Sequence, residues 1–112
     1  METDGGAGHP LGLNVKGKPE IKKILEPVAA ILQKSGAGML NFVEHVGADI
    51  EPMEKVNVPA FSPIQDSRFY FNYHHTAADT LDKIVPKELA ENFAVVAVAA
   101  YALANLEQAL PR

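Results

Sequence analysis

Cysteine is absent from the 112 residues. No disulfide can form and no thiolate can bind a metal, which leaves the compartment open. Excess positive charge is missing too. Ten Lys and Arg against 14 Asp and Glu give a formal charge of -4. With no basic cluster to reverse that locally, a nucleic-acid surface is excluded. The longest apolar run, Phe93 to Ala104, has twelve residues, where a bilayer span needs about 20. There is no internal repeat and no low-complexity tract. The opening, Met1-Glu2-Thr3-Asp4-Gly5-Gly6, is acidic and Gly-rich, unlike a secretory signal.

What remains is enough for one domain, residues 1–112, with 47% hydrophobic residues to build a core. Met1 to Pro10 reads as a loop. Leu11 to Lys16 alternates as a short strand does, and Gly17 ends it. Pro19 suits the first turn of a helix whose face is Ile21, Ile24, Leu25, Val28, Ile31 and Leu32. Pro27 is expected to kink or divide that helix near Glu26. Lys34 suits the dipole of its last turn, and Ser35-Gly36 closes it. Met39 to Val46 reads as a second strand. Gly47-Ala48-Asp49 leads into a short helix with Asp49 as N-cap and Pro52 in the first turn. Val56 to Phe61 reads as a strand broken by Pro59, near a sheet edge or end. Ser62 to Tyr73 is irregular. Pro86 starts a long C-terminal helix whose predicted buried face is Leu89, Phe93, Val96, Ala100 and Leu103. Strands alternating with helices imply an α/β class: a few strands of a mixed sheet packed with helices.

The chemistry concentrates in Tyr73-His74-His75-Thr76-Ala77-Ala78-Asp79-Thr80, which holds two of the four histidines. Imidazole is a common metal ligand, and a nearby carboxylate can fix its tautomer. The same run also reads as two part-exposed histidines at a helix entrance, capped by Asp79 or Thr80. Two imidazoles are too few for a zinc site, so further donors must come from elsewhere. His9 and His45 have no neighbours at ligand spacing and read as loop residues.

Tyr73-His74-His75-Thr76 followed by Asp79-Thr80-Leu81-Asp82 resembles the last metal-ligand motif of a family of di-zinc exopeptidases. That family includes aminopeptidase Y, bacterial leucine aminopeptidases and plasma glutamate carboxypeptidase (carboxypeptidase Q), the last being the nearest subgroup. Met1 to Gly6 with Pro10-Leu11-Gly12-Leu13 resembles the family's acidic strand end and Pro-x-Gly loop. Gly47-Ala48-Asp49-Ile50, Val58-Pro59 and the tail Asn105 to Arg112 fit in order, so the similarity covers essentially the whole chain.

The resemblance implies a partial domain, the C-terminal portion of a zinc peptidase. By it, Asp4 is a terminal ligand on one zinc and His75 on the other. The family ligand precedes the Asp by four residues and the Thr by five, which favours His75 over His74. His74 then faces substrate or supports the ligands, and Asp79 orients the loop or the ligand. No residue here receives a catalytic role: the bridging carboxylate, an earlier His and the acidic pair containing the general base lie upstream of the position matched by Met1. Glu2 points the same way as Asp4 on a strand and does not replace that set. The parent is expected to be a secreted or periplasmic enzyme that hydrolyses short peptides with metal-activated water. The isolated chain is expected to bind zinc weakly or not at all and to be inactive. The competing reading is a non-catalytic α/β interaction domain whose exposed sheet edge pairs with a second copy.

Overall fold

A computed structural model describes all of residues 1–112. The central strand is β1 (Pro10–Lys16). Helix α1 (Ile21–Leu32) carries the chain back to β2 (Met39–Phe42), which runs parallel to β1 with Leu13 opposite Leu40. A parallel pair needs such a crossover, because a tight turn cannot reverse the chain twice. After a one-turn helix, α2 (Glu51–Glu54), strand β3 (Ala60–Gln65) lies antiparallel on the other side of β1. The sheet order is β2-β1-β3. A second one-turn helix, α3 (Tyr70–Tyr73), and the long α4 (Pro86–Ala104) complete the chain.

Alternation along β1 sends Leu13 and Val15 to one face. There they meet Ile21, Leu25, Val28 and Leu32 of α1, Val95 and Ala99 of α4, and Ala37 and Phe61. Each fully buried Leu, Ile or Val contributes about 1.5–3 kcal/mol. The opposite face carries a polar ladder. Asn41 donates to Asn14 at 3.0 Å, and Asn14 donates to Ser62 at 3.4 Å.

Five elements differ from the sequence expectation. Helix α1 runs unbroken through Pro27, because its buried stripe on both sides of Pro27 packs on the sheet and outweighs the lost bond. Gly36 then closes it at φ 83°, a left-handed position that glycine takes without strain. Strand β2 stops at Phe42 rather than Val46. The segment beyond it is drawn toward α2, where Glu54 accepts the Val46 N–H at 2.9 Å.

The third strand runs Ala60–Gln65, not Val56–Phe61, so the first residues of the Ser62–Tyr73 stretch expected to be irregular belong to the sheet. The amides of Val56 and Val58 are used on the Met53 carbonyl in the turn after α2. Pro63 sits inside β3, opposite Leu13. The Phe61 carbonyl accepts a bond from Glu2 N–H at 3.0 Å, so it faces away from β1. Two residues on, the proline nitrogen faces outward as well, and its missing N–H costs no ladder bond.

The N-cap of α2 is Ile50 instead of Asp49. Its anionic partner comes from a distance: the Glu2 carboxylate accepts the Asp49 and Ile50 N–H groups at 3.1 and 3.2 Å. Finally, α4 buries Asn92, Val95 and Ala99, while Phe93 and Ala100 of the expected face are exposed. From Phe93 to Ala104 the helix is apolar all round, so spacing alone cannot choose a face.

Candidate functional site

Asp4, remote in sequence, and His74, His75 and Asp79 all line one open cleft of about 680 Å³. Its floor is the Thr3–Gly8 loop. Its walls come from Asp66 to His75, from Asp79 to Val85, and from Glu88 in the first turn of α4.

The Asp4 loop has little regular structure of its own and is held from outside. The Gln65 side chain, only 9% exposed, donates to the Gly6 carbonyl and, at 3.4 Å, to Thr3 Oγ1. Asn92 donates to the Gly8 carbonyl at 2.8 Å and to the Glu88 carbonyl at 2.9 Å. Gly6 takes φ 94° and lies against the Tyr70 ring, where a Cβ would come within 3.0 Å of Tyr70 Cδ2. The Tyr70 hydroxyl donates a long bond, 3.4 Å, to the Asp4 carbonyl. Two buried acceptors, Gln65 Oε1 and Asn92 Oδ1, have no partner.

The histidine pair follows α3. His74 is the C-cap residue and has left the helical conformation, and His75 stands at φ 57°. The two rings stack with centroids 3.8 Å apart and planes 17° apart. The turn beyond is organised by Thr76, whose hydroxyl donates to the Tyr73 carbonyl at 2.7 Å and accepts the Ala78 N–H at 3.2 Å. The Asp79 N–H donates to the Thr76 carbonyl at 3.1 Å. No hydrogen bond joins the Asp79 carboxylate to either imidazole.

The cleft holds more carboxylates than cations. Arg68 pairs with Asp66 at 2.7 Å, and Lys83 pairs with Asp82. The Lys83 hydrogen bond holds the Asp82 carboxyl below its ordinary range, and the same bond raises Lys83. Asp4, Asp79 and Glu88 have no cationic partner. The surplus of negative charge suits a cation.

Zinc takes three or four protein donors. No group of three or more His, Asp or Glu side chains in this chain is arranged to hold a metal ion. The chain on its own therefore does not fit a zinc ion.

The remaining histidines are bound to carboxylates. His9 Nδ1 lies 2.7 Å from Glu91, and His45 Nδ1 lies 2.8 Å from Glu54. Glu2, expected to point with Asp4, turns instead to the α2 backbone, because Met1 to Asp4 is not a regular strand. Sequence reasoning missed Gln65, Tyr70 and Asn92, which hold the loop. The available signal was an Asn inside the apolar face of α4, since a buried amide needs a partner.

No protein-family model matches the chain. Along its whole length it is 34% identical to carboxypeptidase Q of Homo sapiens and covers 24% of that protein. Against carboxypeptidase Q of Rattus norvegicus the identity is 35%, with the same coverage. The solved structure of a peptidase M28 precursor from Shewanella amazonensis SB2B superposes with a TM-score of 0.85 at 32% identity. The match covers 97% of this chain and 25% of that one. The chain thus spans about a quarter of the length of these relatives.

Proposed function

We propose that this chain is a part-length member of the peptidase family of carboxypeptidase Q, which it matches along all of its own 112 residues, and that it forms one portion of a zinc-dependent exopeptidase acting on short peptides. The 34–35% identity to carboxypeptidase Q along this chain carries the reading. In this proposal Asp4 and His75 each give one donor to a two-zinc centre, and the other donors come from polypeptide outside these 112 residues. Zinc held in part by Asp4 and His75 would supply Lewis-acid chemistry and a bound water of lowered pKa. His74 and Asp79 flank the donors. The chain supplies no general base, so alone it is inactive. An extracytoplasmic setting, secreted or periplasmic, rests on the family likeness.

Support from the chain itself is the meeting of Asp4 and His75 in one acid-rich cleft. Carboxylate oxygen and imidazole nitrogen are both suited to Zn²⁺.

The test is a chimera in which this chain replaces the matching quarter of a carboxypeptidase Q. The expected result is peptide hydrolysis that Asp4→Ala or His75→Ala abolishes, with zinc content falling in parallel. A chimera that stays fully active after His75→Ala overturns the assignment. So does turnover by the 112-residue chain alone with added zinc, if His75→Ala removes it.

A further inference from the structure

We infer that His74 is a positioning residue: together with Tyr70 it forms a stacked bridge that runs from the Asp4 loop to the His75 ring and fixes that ring. The inference rests on the reading of Asp4 and His75 as metal donors.

Three observations carry it. First, His75 has little else to hold it. It is exposed, and neither of its ring nitrogens makes a hydrogen bond within the chain. Its backbone stands at φ 57°, a left-handed conformation that non-glycine residues take up at a cost. Second, the His74 ring lies parallel to it, at 3.8 Å and 17°. The side-chain contact therefore supports a ring that the backbone holds in a strained turn.

Third, His74 is itself set by aromatic neighbours. Tyr70 lies 4.7 Å away, tilted by 35°, and Phe71 meets it edge-on at 6.0 Å and 77°. Tyr70 also reaches the other donor: its hydroxyl bonds the Asp4 carbonyl and its ring lies against Gly6. One aromatic column thus touches both donor segments, which lie about seventy residues apart in the chain. Stacking occupies ring faces and leaves ring edges free, so His75 keeps its nitrogens open toward a metal. A donor pre-set in this way loses less freedom on ligation. His74 acts through His75, and any aromatic ring of similar size at this position should serve.

The experiment is NMR on the 112-residue chain at neutral pH, reading His75 χ1 populations from three-bond couplings and the ring-to-ring NOE. Wild type should show one dominant His75 rotamer. His74→Ala should lose the NOE and shift the rotamer ratio about threefold to tenfold toward averaging, the range that one aromatic pair supports. His74→Phe should restore the dominant rotamer. Thermal midpoints should agree across all three, because this turn lies outside the core.

A His75 ring that stays in one rotamer in His74→Ala overturns the inference, as does equal averaging in His74→Phe. The metal reading fails on a different result, full hydrolysis by the His75→Ala chimera, and that outcome leaves the rotamer result standing by itself.

Discussion

At the scale of single residues, the ionisable group with most at stake is Glu54, which is 6% exposed. Burial works to raise its carboxyl. The His45 hydrogen bond, the Val46 N–H and the charges of His45 and Lys16 outweigh that and leave it below the ordinary 4.5. A carboxyl depressed in the folded state binds protons more readily when unfolded. Its stabilisation is therefore full above the unfolded value and is lost as pH falls through the folded one. Below about pH 4.5 the chain should lose stability through this group. Glu54→Gln should cost about 1–3 kcal/mol near neutrality, the range for a disturbed buried polar pair, and should flatten the acid limb. Urea melts of both proteins from pH 3 to 7 read this out. An acid limb of unchanged steepness in Glu54→Gln would show that other carboxyls drive it. Nothing in the sequence marked Glu54: it reads as one more surface charge on a short helix, and only the fold brings His45 and Val46 to it.

Among the elements, α1 gives the clearest test, because a proline lies seven residues into a twelve-residue helix. Pro27 has no N–H for the Lys23 carbonyl, and its ring crowds the preceding turn. It is exposed and outside the core. Pro27→Ala should therefore raise stability by about 1–3 kcal/mol, less than the full interior penalty because alanine also loosens the unfolded chain. A higher urea midpoint at unchanged slope is the expected reading, and a lower midpoint would mean that the proline sets the packing of α1. Legibility followed the same logic across the elements. Strand β1 and most of the α1 face were readable, since Leu13, Val15, Ile21, Leu25, Val28 and Leu32 repeat at the period of their element, whereas Ile24 is only half-buried and Ile31 of the predicted face is exposed. Strand β3 was not, because its limits depend on turn bonds at Met53 and on which way the Pro63 nitrogen points. The face of α4 was hidden by an excess of apolar residues, and only Asn92 broke the degeneracy. At the candidate site, the His-His-Thr run was visible in sequence, whereas Gln65 and Tyr70 act through backbone groups of a loop some sixty residues earlier.

For the molecule as a whole, shape decides. The extents are 43 × 32 × 19 Å, a slab with both long helices packed on one face of the sheet. The exposed area is 7324 Å², where a 12.1 kDa monomer ordinarily shows about 6,000 Å². The excess is of the order of one partner's share of a standard interface, about 800 Å². Part of it is apolar and contiguous along α4, where Phe93 is 64% and Tyr101 74% exposed, with Ala97 and Ala100 between them on the outward side. Such a stripe associates with another surface when nothing covers it. The isolated chain is therefore expected to self-associate in a concentration-dependent way. Phe93→Lys with Tyr101→Lys should shift it toward monomer while leaving the urea midpoint close to wild type, because neither side chain belongs to the core. Sedimentation velocity across a hundredfold range of concentration measures this. A wild-type chain that stays monomeric throughout, or a double variant that associates as before, would move the sticky surface elsewhere. The free edge of β2, with Met39 and Phe42 exposed beside it, would then be the next place to cut.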